Sequence, residues 1–142
     1  MSWLTDSVYS IREAAAINIR KLTELFGPKW CSEQIFPKVI ALSQDGNFIH
    51  RMTTVNVLST LAQVLDADTL KNTILPSLLP MAQDSIPNVR FNVARCLENV
   101  KIQLFKFNQQ QLYNETIQPV LQKLSQDEDL DVKFFANKAI AA

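Results

Sequence analysis

The sequence predicts an all-α protein, a solenoid of stacked antiparallel helix pairs about three and a half units long, and three observations carry that reading. A four-letter stretch recurs: Leu42-Ser43-Gln44-Asp45 returns as Met81-Ala82-Gln83-Asp84 and again as Leu124-Ser125-Gln126-Asp127. Eight residues before each Asp stands a proline (Pro37, Pro76, Pro119), and six after it a cation (Arg51, Arg90, Lys133). With a partial copy at Asp6 and Arg12, the origins Asp6, Asp45, Asp84 and Asp127 are 39, 39 and 43 residues apart, a period that marks repeat architecture. Finally, two glycines in 142 residues and little polar–apolar alternation leave scant room for sheets and hairpins.

Each unit divides at its Asp into two helical halves. Before it, "IFPKVIAL", "ILPSLLPM" and "IQPVLQKL" carry apolar residues at helical spacing, each with an isoleucine two places before the proline (Ile35, Ile74, Ile117). After it, Val89, Val93, Leu97 and Val100 form one helical face, and Ile11, Ala15, Ile19 and Leu22 form its counterpart in the first unit. Gly27-Pro28 closes the first helix, Asp45-Gly46-Asn47 makes a tight turn, and Pro87 suits a first helical turn. The repeated prolines should bend each first helix at one place, since proline removes a backbone donor. The third spacing is four residues longer, and the excess is expected in the loop around "KIQLFKFNQQQLYNE". The chain reads as one domain, 1–142: a half unit over 1–27, then units at about 28–66, 67–105 and 106–142. A helix pair cannot bury its apolar face alone, so neighbours must stack.

Composition narrows the function. Fourteen cations balance fourteen anions, which opposes a generally basic nucleic-acid binder. No apolar run approaches the roughly 18 residues of a membrane span, and the N-terminus lacks a cationic head followed by an apolar stretch. Cys31 and Cys96, 65 positions apart, read as free thiols in a reducing compartment, the cytoplasm and also the nucleus. The repeated charges suggest a ladder of Asp6, Asp45, Asp84 and Asp127 with Arg90, Lys133 and their equivalents. In it the Asp accepts backbone donors at the start of the second helix and meets the cation of the next unit. The alternative is a set of solvated surface charges contributing little.

Proline in the first helix, Asp in the turn, then Val-Arg or its equivalent five and six residues on, resembles the HEAT repeat. More specifically, "VYSIREAA", "IHRMTT", "NVRFNVA" and "DVKFFA" resemble the C-terminal repeats of the scaffold (A) subunit of protein phosphatase type 2A, from Trp3 to about Ala139. The resemblance implies a non-catalytic scaffold whose intra-repeat turns grip the catalytic subunit of a serine/threonine phosphatase. A variable regulatory subunit would be held only indirectly, through other repeats of a full scaffold. Carried over by position, the contacts fall at Val8, Tyr9 and Arg12, at Asn47, Phe48 and Arg51, and at Ile86. Read without the resemblance, Tyr9 and Phe48 share one offset past the repeat Asp and are each followed three residues later by Arg. That composition suits an interface anchor, though each ring could equally cover the end of its own hairpin.

The chain enters inside a unit, with no first helix before Asp6, so one apolar face is expected to lack its cover, as in a fragment of a longer scaffold or a short form. It stops at Ala142, early for the last helix, which points to an incomplete C-terminal cap. No catalytic constellation is visible. His50, the only histidine, fills the slot of Ile11, Val89 and Val132 and reads as a packing or turn residue. There is no zinc spacing, phosphate loop or serine elbow. "DEDLD" at Asp127–Asp131 lacks the glycine and ligand pattern of a calcium loop. Trp3 and Trp30 read as core or cap packing. No cofactor, metal, nucleic acid or membrane is expected. Two other readings compete: a HEAT-repeat transport or cargo adaptor, disfavoured by the mixed charge of the second helices, and a helical-repeat nucleic-acid enzyme, disfavoured by the balanced total.

Overall fold

A computed structural model describes residues 2–5 and 7–142, and among them helix is the only regular secondary structure. After a 3-10 turn at Ser2–Thr5 come α1 (Tyr9–Gln34), α2 (Phe36–Ser43), α3 (Phe48–Ala62), α4 (Ala67–Thr69), α5 (Leu75–Leu78), α6 (Pro87–Lys106), α7 (Gln110–Leu112), α8 (Gln118–Leu124) and α9 (Leu130–Ala141). The helices stack as an all-α solenoid. The second helices lie side by side, α3 packing on α1, α6 on α3 and α9 on α6, while the first helices line the other side. Within α1 the path breaks at Gly27, whose φ of 90° lies in the left-handed region that a side chain would strain. One helix ends there and Pro28 opens the next.

The prolines are accommodated by a change of helix type. Leu70–Ile74 and Tyr113–Ile117 are single π turns, each ending one residue beyond Ile74 and Ile117 in a renewed α-helix with proline in its first turn. The Leu75 N–H donates to the Leu70 carbonyl, and the Gln118 N–H to that of Tyr113, five residues back in each case. Widening by one residue relieves the pressure of the proline ring on the preceding turn. Both π turns occupy the same offset before the repeat Asp. In the second unit the equivalent place is Ile35, where α1 gives way to α2.

The four extra residues of the third spacing do not lengthen a loop, contrary to the sequence expectation. They lengthen the second helix: α6 has 20 residues and α3 has 15. The apolar stripe runs on through Val100 to Leu104, both fully buried, so burial extends the helix. It stops at Asn108, at φ 57°, where the Gln109 N–H donates to the Leu104 carbonyl at 2.8 Å and the Asn108 N–H to that of Phe105 at 3.1 Å. That pair of bonds is a Schellman closure, with Asn in the left-handed slot.

The core is continuous across the units. Leu58, Leu61, Leu97, Ile117 and Leu121 are fully buried, and Phe91 stacks on Phe135 of the next unit at 5.5 Å, with Arg95 over the Phe135 ring at 5.3 Å. Truncating such a leucine to Ala would cost about 2–5 kcal/mol. Cys31 and Cys96 are free and buried. Trp30 packs on the core beside Phe26, whereas Trp3, expected in the core or at a cap, is 64% exposed and lies outside the core.

Candidate partner-binding ridge

Each described hairpin turn is built from one device. The side chain of the repeat Asp accepts the backbone N–H two residues on: Asn47 to Asp45 Oδ1 at 2.8 Å, Ile86 to Asp84 Oδ1 at 2.9 Å, Asp129 to Asp127 Oδ1 at 2.9 Å. The residue so held is the N-cap of the second helix. Val8, Asn47, Ile86 and Asp129 all take the same extended backbone, φ −79 to −93° and ψ 117 to 130°. Asn47 and Asp129 add side-chain caps of their own, to the Ile49 N–H and to those of Asp131 and Val132.

The cation six residues on fixes these turns to one another. Arg51 Nη1 donates back to the carbonyls of Asp45 (2.9 Å) and Gly46 (3.2 Å), which aims the rest of its fork forward. Nε and Nη2 then grip the two carboxylate oxygens of Asp84 at 2.7 and 3.0 Å. Arg90 repeats the arrangement, with Nη1 on the Asp84 carbonyl and Nε and Nη2 on Asp127 at 2.9 and 3.0 Å. These forked bonds are the strong, geometry-defining kind. The direction is the reverse of the expected one: the Arg of one unit holds the Asp of the next, because Nη1 is tied to its own turn. Asp6 lies outside the described residues. Lys133 is exposed on α9 and makes no ion pair among the described residues.

The electrostatics follow the geometry. Burial alone would raise Asp84, but the Arg51 fork, the Ile86 N–H and the nearby Arg90 hold it below the ordinary carboxylate value. Asp127 is lowered chiefly by Arg90, against burial, with help from the Asp129 N–H. Asp45 is lowered by the Asn47 N–H and by His50, whose Nδ1 lies 3.2 Å from Asp45 Oδ2. His50 thus stands at the turn, half-buried.

On this frame the ridge residues project. Val8 is 48% and Tyr9 59% exposed, with the Arg12 guanidinium 5.6 Å from the Tyr9 ring centre; Phe48 is 37% exposed. Tyr9, Arg12 and Phe48 meet at one groove of about 460 Å³ between α1 and α3, which also takes in Ile17, Met52 and Asn56. Asn47 is exposed and Ile86 half-buried at the neighbouring turns. The fork of Arg51 is taken up by Asp84 and two carbonyls, so this residue holds the ridge in place from beneath.

Sequence reasoning missed two features. Leu130, 78% exposed, shares the offset of Tyr9 and Phe48 past its Asp, a signal that alignment of the units could have used. Lys101 is 5% exposed, and its Nζ donates to the carbonyls of Ala139, Ile140 and Ala142 at 3.1, 3.0 and 2.6 Å. It lies 5.0 Å from the Tyr113 ring centre and 5.6 Å from that of Phe105. It thereby ties α6 to the last turn of α9. Its signal was a charge at the repeat slot held by buried Thr23 and Ala62.

Among the described residues no group of three His, Cys, Asp or Glu is placed to hold a metal, and no helix is long and apolar enough to cross a membrane. The arrangement sets the exposed apolar side chains of Val8, Tyr9 and Phe48 along a row of turns, the last three of which Arg51 and Arg90 cross-link.

Residues 46–142 match a family model described as PIK3R4-like, middle domain. The regulatory A-subunit of protein phosphatase PP2A from Saccharomyces cerevisiae is 42% identical over 126 residues, 86% of this chain and 20% of that protein. The protein of the same name from Schizosaccharomyces pombe is 46% identical over 70 residues, 49% of this chain and 12% of that one. The beta isoform of the human 65 kDa regulatory A-subunit of serine/threonine-protein phosphatase 2A is 50% identical over 56 residues, 39% of this chain and 9% of its own length. The chain therefore spans about a fifth or less of these relatives, which are named as regulatory subunits.

Proposed function

We propose, from the premise that this chain belongs to the PIK3R4-like middle-domain family and is homologous to the PP2A regulatory A-subunits, that it is a non-catalytic scaffold segment binding the catalytic subunit of a type 2A serine/threonine phosphatase. The family description and the relatives' names differ. Identity of 42% over 86% of the chain, together with names that state a phosphatase, is the more specific guide to the partner. The observation that carries the reading is the shared groove mouth of Tyr9, Arg12 and Phe48, three residues from two successive turns brought to one place.

The mechanism is positioning. The catalytic subunit lies along the turns, with Tyr9 and Phe48 as aromatic anchors, Val8, Asn47 and Ile86 beside them, and Arg12 supplying charge. Arg51 and Arg90 keep the turns in register, so that the anchors present a fixed spacing. In a full scaffold a variable regulatory subunit is held by other repeats, and the assembly works in the cytoplasm and nucleus.

Surface plasmon resonance of the 142-residue chain against purified type 2A catalytic subunit tests this, with a Tyr9→Ala/Phe48→Ala variant alongside. Each lost anchor should cost about 2 kcal/mol, so the pair should weaken binding at least tenfold. Equal binding by both proteins would move the contact off the ridge, and no binding by a folded chain would assign the contact to other repeats of a full scaffold or to a different partner.

A further inference from the structure

The junctions between neighbouring second helices are not alike. Between α6 and α9 the ring of Phe135 crosses to stack on Phe91 at 5.5 Å, and the Arg95 guanidinium lies 5.3 Å over the same ring. That ring plugs the junction. Counted from the repeat Asp, the same three places at the junction of α1 and α3 hold Thr53 for Phe135, Glu13 for Phe91 and Ile17 for Arg95. Thr53 turns back on its own helix, donating from Oγ1 to the Ile49 carbonyl at 3.0 Å. The place of the plug is here the groove of about 460 Å³, which Glu13, Ile17 and Thr53 help to line. Both of its walls are second helices, as at the sister junction, so the opening comes from the side chains at three offsets.

The clamp differs at the same junction. Asp84 and Asp127 are gripped by the arginine of the preceding unit and are 10% and 14% exposed. Asp45 is 39% exposed and, among the described residues, its ion-pair partner is His50 of its own turn. No forked pair staples these turns among the described residues, so α1 can shift against α3 when something enters between them.

The walls define what would enter. Ala16, Ile17, Met52 and Val57 offer apolar contact to a flat side chain. Glu13 puts a carboxylate where Phe91 puts a ring, so the occupant must bring it a hydrogen-bond donor. A lysine or arginine would bring one with a charge that Arg12, also lining the groove, repels. A ring with a neutral donor on its edge meets every condition, and tyrosine and tryptophan are the side chains of that kind that interfaces favour. Resting on the reading of this chain as a phosphatase scaffold, we infer that the groove seats one tyrosine or tryptophan of the catalytic subunit, in the place that Phe135 fills at the sister junction.

Two measurements keep the seat and the partner separable. p-Cresol, the tyrosine side chain as a free molecule, should shift the methyl resonances of Met52 and Val57 in NMR spectra of the 142-residue chain. Toluene, which lacks the hydroxyl, should bind about fivefold more weakly, and the difference should vanish in Glu13→Ala. In surface plasmon resonance against purified type 2A catalytic subunit, two variants are compared with the native chain. Glu13→Phe/Thr53→Phe rebuilds the plug, and Ile17→Trp blocks the groove from a position 39% exposed, where the fold should tolerate it. Each should weaken binding about tenfold with circular dichroism unchanged. Absence of p-cresol shifts, or catalytic-subunit binding unaltered by both variants, would overturn the seat. p-Cresol shifts in a chain that fails to bind the catalytic subunit would uphold the seat and place the failure with the partner reading.

Discussion

Arg51 holds Asp84 through two parallel hydrogen bonds of 2.7 and 3.0 Å while its third nitrogen stays on the carbonyl of Asp45, its own turn. One side chain thus closes its own hairpin and docks the next. The pair is largely shielded, 16% and 10% exposed, so neither charge is left to the solvent when the other is removed. We expect Arg51→Ala to destabilise the chain by about 2 kcal/mol in urea unfolding. Arg51→Ala, Asp84→Ala and the double variant should show a coupling energy of about 1 kcal/mol or more. Strict additivity would reduce the ladder to ornament.

Acid should dissolve the same ladder. Asp84 and Asp127 are both held below their ordinary value of 3.8 in the folded chain. A depressed folded pKa contributes stability that is complete above the unfolded value and is lost as the pH falls from there through the folded value. Stability should therefore decline as the pH drops below about 4, and the decline should be shallower in Asp84→Asn, which has one such group fewer. The check is the urea midpoint measured at a series of acid pH values; an unchanged slope in the variant would assign the acid sensitivity to other carboxylates.

Much of this was legible because the repeat is written in short-range signals. The Asp, the proline eight before it and the cation six after it name the turn, the strained point of the first helix and the docking side chain. The direction of the ladder was not legible, since it depends on where Arg51 Nη1 rests, a contact set by the three-dimensional turn. Nor were the π turns: proline announces that a helix must yield, yet whether it kinks, breaks as at Ile35, or widens as at Leu70–Ile74 depends on packing. The length of α6 escapes a reading of "KIQLFK" by its charges, because the buried Leu104 and the Asn108 closure govern the outcome. At the ridge, the offset of Tyr9 and Phe48 could be read directly. Their meeting at one groove with Arg12 follows from the stacking angle, which no spacing encodes.

Both thiols should be silent in the folded protein. Burial pushes Cys96 up to about 12, against a hydrogen bond to Ser59, and raises Cys31 as well. Reaction with a disulfide reagent at about pH 8 should therefore proceed only through opening of the fold, and two thiols should react at once in denaturant. A Cys31 that reacts at the rate of a small thiol would mean that the first unit opens independently of the rest.

Lys101 gives the last test, because it separates a charge that holds a helix from one that merely lies beside it. Its stem is buried among apolar neighbours, and its ammonium reaches three carbonyls at the end of α9 and two aromatic rings. Lys101→Met keeps most of the stem's volume and removes every donor, so the carbonyls of Ala139, Ile140 and Ala142 lose the ammonium that bonds them. Losing bonds of this charge-assisted kind should cost about 2 kcal/mol. The loss should be local: amide exchange should quicken at Ala136–Ile140 of α9 while α3, two helices away, keeps its protection. Uniform acceleration through α3 and α6 would instead show that the lysine supports the whole stack through packing, and that the carbonyl contacts are incidental to it.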